Sequence, residues 1–199
     1  MQHVGGGSVN VPGLPPYDAD ESIWNMARPW REGYVLTKYN ISKFKQPQRI
    51  CEIGVYSGIA ALSFLAACPG AEYVGIDNLS VETANGVNMV AKTGETLTSL
   101  GYRSKIIVAN SQSLESLPDG PYDLIHVDGL HSTEGTAHDV RMAWQALAPQ
   151  GIIVIDNGHD MYVAEGTFLA MRQVAAPRLI KWMYTDDPVG SIIITQEQV

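Results

Sequence analysis

The chain has 199 residues, 45% of them hydrophobic and 17% charged, with a formal net charge of −8. That length and make-up fit one soluble globular domain with a proper core and exclude a disordered chain. The acidic balance, with its 13 Lys and Arg scattered, speaks against a nucleic-acid partner or an anionic membrane surface.

Residues 1–19 carry Gly5-Gly6-Gly7-Ser8 and then Pro12, Pro15 and Pro16, and read as a mobile arm. Residues 20–199 read as one domain, opened by two short helices over 20–46 that break near Pro29. Trp24, Met26, Trp30, Tyr34 and Tyr39 there form either a lid over a site or an apolar face packed on the core or on a second subunit of a homodimer. After Pro47, short β-branched runs recur at 49–53, 72–76, 104–109, 122–127 and 151–155. Segments with helical spacing separate them at 57–67, 80–99, 111–117, 132–147 and 160–175. This alternation predicts βαβ units and a doubly wound, Rossmann-like α/β domain with a mainly parallel sheet. Two last strands, 178–184 and 190–195, flank Asp186-Asp187-Pro188-Val189-Gly190 and predict a C-terminal antiparallel β-hairpin. Cys51 and Cys68 form no CxxC and read as buried thiols of a reducing compartment. Neither an apolar run of about eighteen residues nor a basic start with an apolar segment occurs, so cytoplasmic is the default location.

Ligands of open α/β sheets bind outside the carboxyl ends of the strands, so the residues leaving each strand are the candidates. The first strand ends in Glu52-Ile53-Gly54-Val55-Tyr56-Ser57-Gly58. Gly54 permits a tight turn, and Gly58 lets the following helix pack close to the strand. The spacing is ExGxxxG, not the GxGxxG of a dinucleotide site. The second strand ends in Asp77, placed to accept hydrogen bonds from ribose hydroxyls or, more plainly, to cap the next helix. The third leads to Asn110-Ser111-Gln112, which can face a purine edge or cap a helix at Ser111. The fourth and fifth give His126-Val127-Asp128-Gly129-Leu130-His131 and Asp156-Asn157-Gly158-His159-Asp160. Asp128, Asp156 and Asn157 together would suit a hard divalent cation; taken alone, Asp-Gly and Asn-Gly are turn dipeptides. His126 within a strand, His138 within a helix and Asp160 at a helix start read as structural.

Together, the glycine turn at Glu52–Gly58, the acid at Asp77 and the terminal hairpin resemble the class I S-adenosylmethionine (SAM)-dependent methyltransferases. The run Tyr122–Gly135 narrows the resemblance to the metal-dependent small-molecule O-methyltransferases, the branch of catechol and macrocin-type enzymes. The resemblance implies that the backbone at Gly54, Ser57 and Gly58 cradles the methionine part of SAM, with Glu52 supporting that loop. It implies that Asp77 binds the ribose and that Ser111 and Gln112 lie by the adenine. It implies Asp128, Asp156 and Asn157 as ligands of Mg²⁺, and a base at His131, where the catechol enzyme has lysine. The implied substrate is a small hydroxylated molecule. The competing readings are a nicotinamide-dependent oxidoreductase, which ExGxxxG disfavours, and a SAM- or nucleoside-binding module without catalysis.

Overall fold

The computed structural model describes residues 31–80, 89–174, 180–185 and 190–196. Strands β1 Arg49–Ile53, β2 Glu72–Asp77, β3 Arg103–Val108, β4 Tyr122–Val127, β5 Leu147–Ile155, β6 Ile180–Tyr184 and β7 Ile192–Gln196 form one sheet. Their order is β3-β2-β1-β4-β5-β7-β6. The first five run parallel, whereas β7 lies antiparallel to β5 and β6 antiparallel to β7. The fold is the mainly parallel α/β sheet with a terminal antiparallel pair that the sequence predicts.

Helices α1 Arg31–Lys45, α2 Ile59–Ala67, α3 Met89–Ser99, α4 Thr133–Gln145 and α5 Met161–Val174 cover the sheet. The sequence of α2, IAALSFLAA, is apolar all round, because the helix is sandwiched between the sheet and α1. Its residues Ile59 to Leu65 are all buried. Val35 of α1, Phe64 of α2, Leu97 of α3 and Leu124 of β4 share one core cluster. Val140 of α4, Ala170 of α5, Ile125 of β4 and Ile153 of β5 belong to the other. With helices on both faces, β4 and the Gly151–Ile155 end of β5 bury most of their residues, which is why they read as unbroken apolar runs. None of the helices among the described residues is long and apolar enough to cross a membrane.

The chain steps outward from β1 through β2 to β3, then crosses back to lay β4 on the other side of β1. That reversal opens a crevice between the ends of β1 and β4, where such sheets bind ligands.

Two expectations are corrected. The helix expected over 111–117 is a single 3₁₀ turn, Ser111–Ser113, closed by an extended Leu114. Asn110 and the serines offer the backbone side-chain hydrogen bonds that compete with a helix. Strand β5 begins at Leu147, not 151, and reaches Tyr122 across an irregularity in its pairing with β4. Gln150 there has φ 64°, and 147–150 carries none of the β-branched residues that mark the other strands. Residues 81–88 of the expected 80–99 helix, the 186–189 loop and the region around Pro29 lie outside the described residues. From Arg31 onward α1 is one unbroken helix packed on α2, so Tyr34 and Tyr39 take the core-packing role.

Candidate active site

The turn after β1 is shaped by what it must pass. Gly54 has φ 88°, and a Cβ there would lie 1.9 Å from the carbonyl oxygen of Asp128. Only glycine lets the end of β1 run this close to the end of β4. Gly58 has φ 69° and starts α2, but its missing Cβ makes room for Thr93 of α3 and not for the strand, as had been expected. Asp77 locks this turn from β2. Its Oδ2 accepts from the backbone N–H groups of Val55 and Tyr56 at 2.9 and 3.0 Å, and its Oδ1 accepts from Leu79 N–H at 2.7 Å. A carboxylate has about four lone-pair positions, so Asp77 retains acceptor capacity toward the crevice.

The crevice is a cleft of about 350 Å³, within the ~300–1,000 Å³ of small-molecule sites. Gly54, Tyr56 and Asp77 line it from one end, Asn110, Ser111 and Gln112 from another, and Asp128 from a third. Ile53, Ile76, Ala109 and Leu130 supply apolar walls. A nucleoside fits this set: a carboxylate for hydroxyls, amides for a base edge and apolar walls for its rings. Gln112 is held for such a role, because its Nε2 donates to Asp139 Oδ1 at 2.8 Å. Asp139 itself is fully buried, and burial pushes its carboxyl up to about 6. Ser57 is buried, Gly58 faces Thr93, and Glu52 is buried as well, so none of these three lines the cleft. Glu52 accepts from the Tyr73 hydroxyl and pairs with His126 Nδ1 at 2.9 Å, which fixes β1 to its two neighbours.

Beside the cleft, β4 and β5 bring two carboxylates together. A ring nitrogen of His126, an oxygen of Asp128 and an oxygen of Asp156 all lie within 4.8 Å of one another. His131 Nε2 stands 3.0 Å from Asp128 Oδ1, with 41% of the histidine side chain exposed. That hydrogen bond, working against burial, raises the His131 pKa above its ordinary value. Asp128 is also raised, by burial first and by the Asp156 charge, against the pull of His131.

Asp156 behaves in the opposite way. Burial alone would raise it, but the Lys38 ammonium, with His126 and hydrogen bonds from Lys38 and Tyr34, holds it below the usual carboxylate range. Lys38 reaches in from α1, fully buried, and donates to Asp156 Oδ1 at 2.7 Å and to Ser191 Oγ. Ser191 in turn donates to Asp156 Oδ1 at 3.3 Å. The ammonium also sits 4.4 Å from the centre of the Tyr34 ring.

This arrangement does not fit the Mg²⁺ expected on Asp128, Asp156 and Asn157. Asp156 Oδ1 already accepts from Lys38 and Ser191, and the carboxylate carries its own buried counter-cation. A divalent ion placed on it would sit against an ammonium that cannot escape to solvent. The third side chain of the cluster is the nitrogen donor His126, and Mg²⁺ prefers oxygen ligands. The Asn157 backbone makes a turn: it has φ 54°, and its carbonyl accepts from Asp160 N–H at 2.8 Å. Asp160 Oδ1 accepts from Tyr162 N–H at the start of α5, the structural role expected of it. His159 packs on Gly190, and His138 Nε2 lies 3.1 Å from the Ser111 carbonyl.

Sequence reasoning missed Lys38 and Ser191. A signal for Lys38 existed: it lies three residues after Val35 and four before Ser42, on the buried stripe of α1. A lysine on an apolar stripe needs a buried anion. Ser191 carries no such signal.

The reversed strand order, the glycine turn locked by the acid of β2 and the terminal antiparallel pair define the class I SAM-dependent methyltransferase fold. The chain belongs to the methyltransferase-domain family, whose model matches residues 51–158, just over half of the sequence. It is 24% identical over 154 residues to the O-methyltransferase ankF of Aspergillus thermomutatus, covering 72% of this chain and 62% of that protein. This chain thus matches less than two thirds of the length of that curated relative. Among solved structures it is similar to the O-methyltransferase TomG of Streptomyces achromogenes, determined with SAM (14% identity, TM-score 0.63, covering 90% and 91% of the two chains). It is similar too to the methyltransferase PaMTH1 of Podospora anserina, determined with SAH bound (21% identity, TM-score 0.63, covering 87% and 84%). Family membership leaves the nicotinamide reading without support.

Proposed function

We propose that this chain is a SAM-dependent O-methyltransferase acting on a hydroxyl of a small metabolite. The observation that carries the reading is the Asp128–His131 pair, hydrogen-bonded at 3.0 Å just past β4, with Asp128 lining the cleft. The names of the curated relative and of TomG support oxygen as the acceptor.

SAM, when bound, supplies an electrophilic methyl group on a sulfonium. Asp77 would hold its ribose, the turn at Gly54–Tyr56 its amino-acid part, and Asn110, Ser111 and Gln112 its base. A neutral alcohol is a poor nucleophile, so the chain must take its proton as the oxygen attacks. His131 is the base in this reading: its side chain is 41% exposed, and Asp128 orients its ring and would stabilise the imidazolium that forms. No Mg²⁺ enters the reading, because Lys38 and Ser191 already claim Asp156.

His131→Ala tests the base. Turnover is expected to fall at least ~100-fold, the usual worth of a positioned base, while SAM affinity measured by calorimetry stays near wild type. Unchanged turnover with any accepted hydroxyl would remove His131 from the chemistry.

A further inference from the structure

We infer that Lys38 is the resident cation of the acidic site, a positioning residue that takes the place of a divalent metal and makes this site metal-independent. The inference rests on the methyltransferase reading only for its catalytic meaning; the charge arrangement stands by itself.

Two carboxylates whose oxygens come within 4.8 Å repel each other unless positive charge lies between or beside them. In a metal site the ion supplies it. Here each carboxylate has a protein cation or proton donor of its own. Asp156 has Lys38 at 2.7 Å, and Asp128 has His131 at 3.0 Å. The Lys38 side chain is 0% exposed and Asp156 is 3% exposed, so the pair is neither a surface decoration nor free to exchange with solvent ions. Ser191 and Tyr34 complete the shell from β7 and α1, which leaves Asp156 served from three directions. The same bond ties α1 across the sheet to the ends of β5 and β7. Lys38 therefore fixes both the charge of the site and the helix beside it.

One buried atom shows what Lys38 displaces. His126 is wholly buried, its Nδ1 is engaged by Glu52, and its Nε2 has no hydrogen-bond partner among the described residues. With Asp128 and Asp156 it would make a mixed nitrogen and carboxylate set, which suits a first-row transition metal more than Mg²⁺. What excludes a dication is charge: while the ammonium stays, Asp156 is already neutralised by a buried cation. Removing the ammonium should open the set.

The test is Mn²⁺ binding followed by electron paramagnetic resonance, with full-length protein in molar excess. Free Mn²⁺ gives a strong spectrum that fades on binding. Wild type is expected to leave the spectrum unchanged. Lys38→Met should reduce it by at least half, and Lys38→Met combined with Asp156→Asn should restore it. Stoichiometric Mn²⁺ uptake by wild type, lost in Asp128→Asn, would overturn the inference, and this arm needs no Lys38 variant to fold. A folded Lys38→Met protein that still ignores Mn²⁺ would overturn it as well. SAM titration of the same wild-type sample separates the two readings: absence of SAM binding sinks the methyltransferase assignment without touching the Mn²⁺ outcome.

Discussion

Replacing Lys38 by Met keeps most of the side-chain volume and deletes the charge. In the folded protein the ammonium and the Asp156 carboxylate are 2.7 Å apart, both buried. At an effective dielectric constant of about 20, a pair at that distance attracts by ~6 kcal/mol, most of which offsets the cost of removing both charges from water. Deleting one partner leaves the other buried and uncompensated, which costs about 3–5 kcal/mol. Against a typical stability of ~5–15 kcal/mol this is a large loss. Urea unfolding at neutral pH, with EDTA present to exclude stray metal, should show it as a lower midpoint at unchanged slope. The double variant Lys38→Met, Asp156→Asn should recover most of the loss, because no buried charge remains. The penalty has a predictable pH dependence. Without Lys38, burial dominates Asp156 and raises its pKa, so the penalty is greatest at neutral pH and shrinks as acid protonates the carboxylate. A Lys38→Met loss below ~1 kcal/mol, the scale of an exposed pair, would refute the buried ion pair and with it the docking of α1.

Asp139→Asn should reverse the usual acid sensitivity at one position. Its folded pKa of about 6 lies above the ordinary value of 3.8, so Asp139 favours the fold below pH 4 and loses that contribution as pH rises toward and past 6. The difference is worth about 3 kcal/mol at neutral pH, so the variant should match wild type near pH 4 and exceed it at pH 7.5; parallel urea stability curves would contradict this. Gly54→Ala must either strain φ 88° or push the Asp128 carbonyl away from a Cβ built 1.9 Å from it. SAM affinity by calorimetry should fall at least ~10-fold, a change of ~1.4 kcal/mol, and wild-type affinity would show that the turn does not bind the cofactor.

Much of the fold was legible because strand and helix periods alternate cleanly after Pro47. The runs at 49–53 and 122–127 coincide with β1 and β4. Where local chemistry and tertiary pairing disagree, the sequence misleads: β5 starts at Leu147, ahead of the expected 151–155 run, and 111–117 has apolar residues at helical spacing but folds as one tight turn. The site was legible where a residue's neighbours in sequence are its neighbours in space. Asp128 beside His131, three positions on, is of this kind. The contact between Lys38 and Asp156 spans 118 positions. No local spacing encodes such a pair, and that one contact changes the reading of the metal position. Glu52, expected to support the glycine loop, bonds instead to Tyr73 and His126, partners on strands that only the sheet order reveals.

The central claim is that the cleft between β1 and β4 binds SAM. Isothermal titration of the purified full chain with SAM tests it most directly, with Gly54→Ala as the matched control. The account expects saturable binding at one site per chain that Mg²⁺ and EDTA leave unchanged. Absence of SAM binding by a folded chain would contradict it.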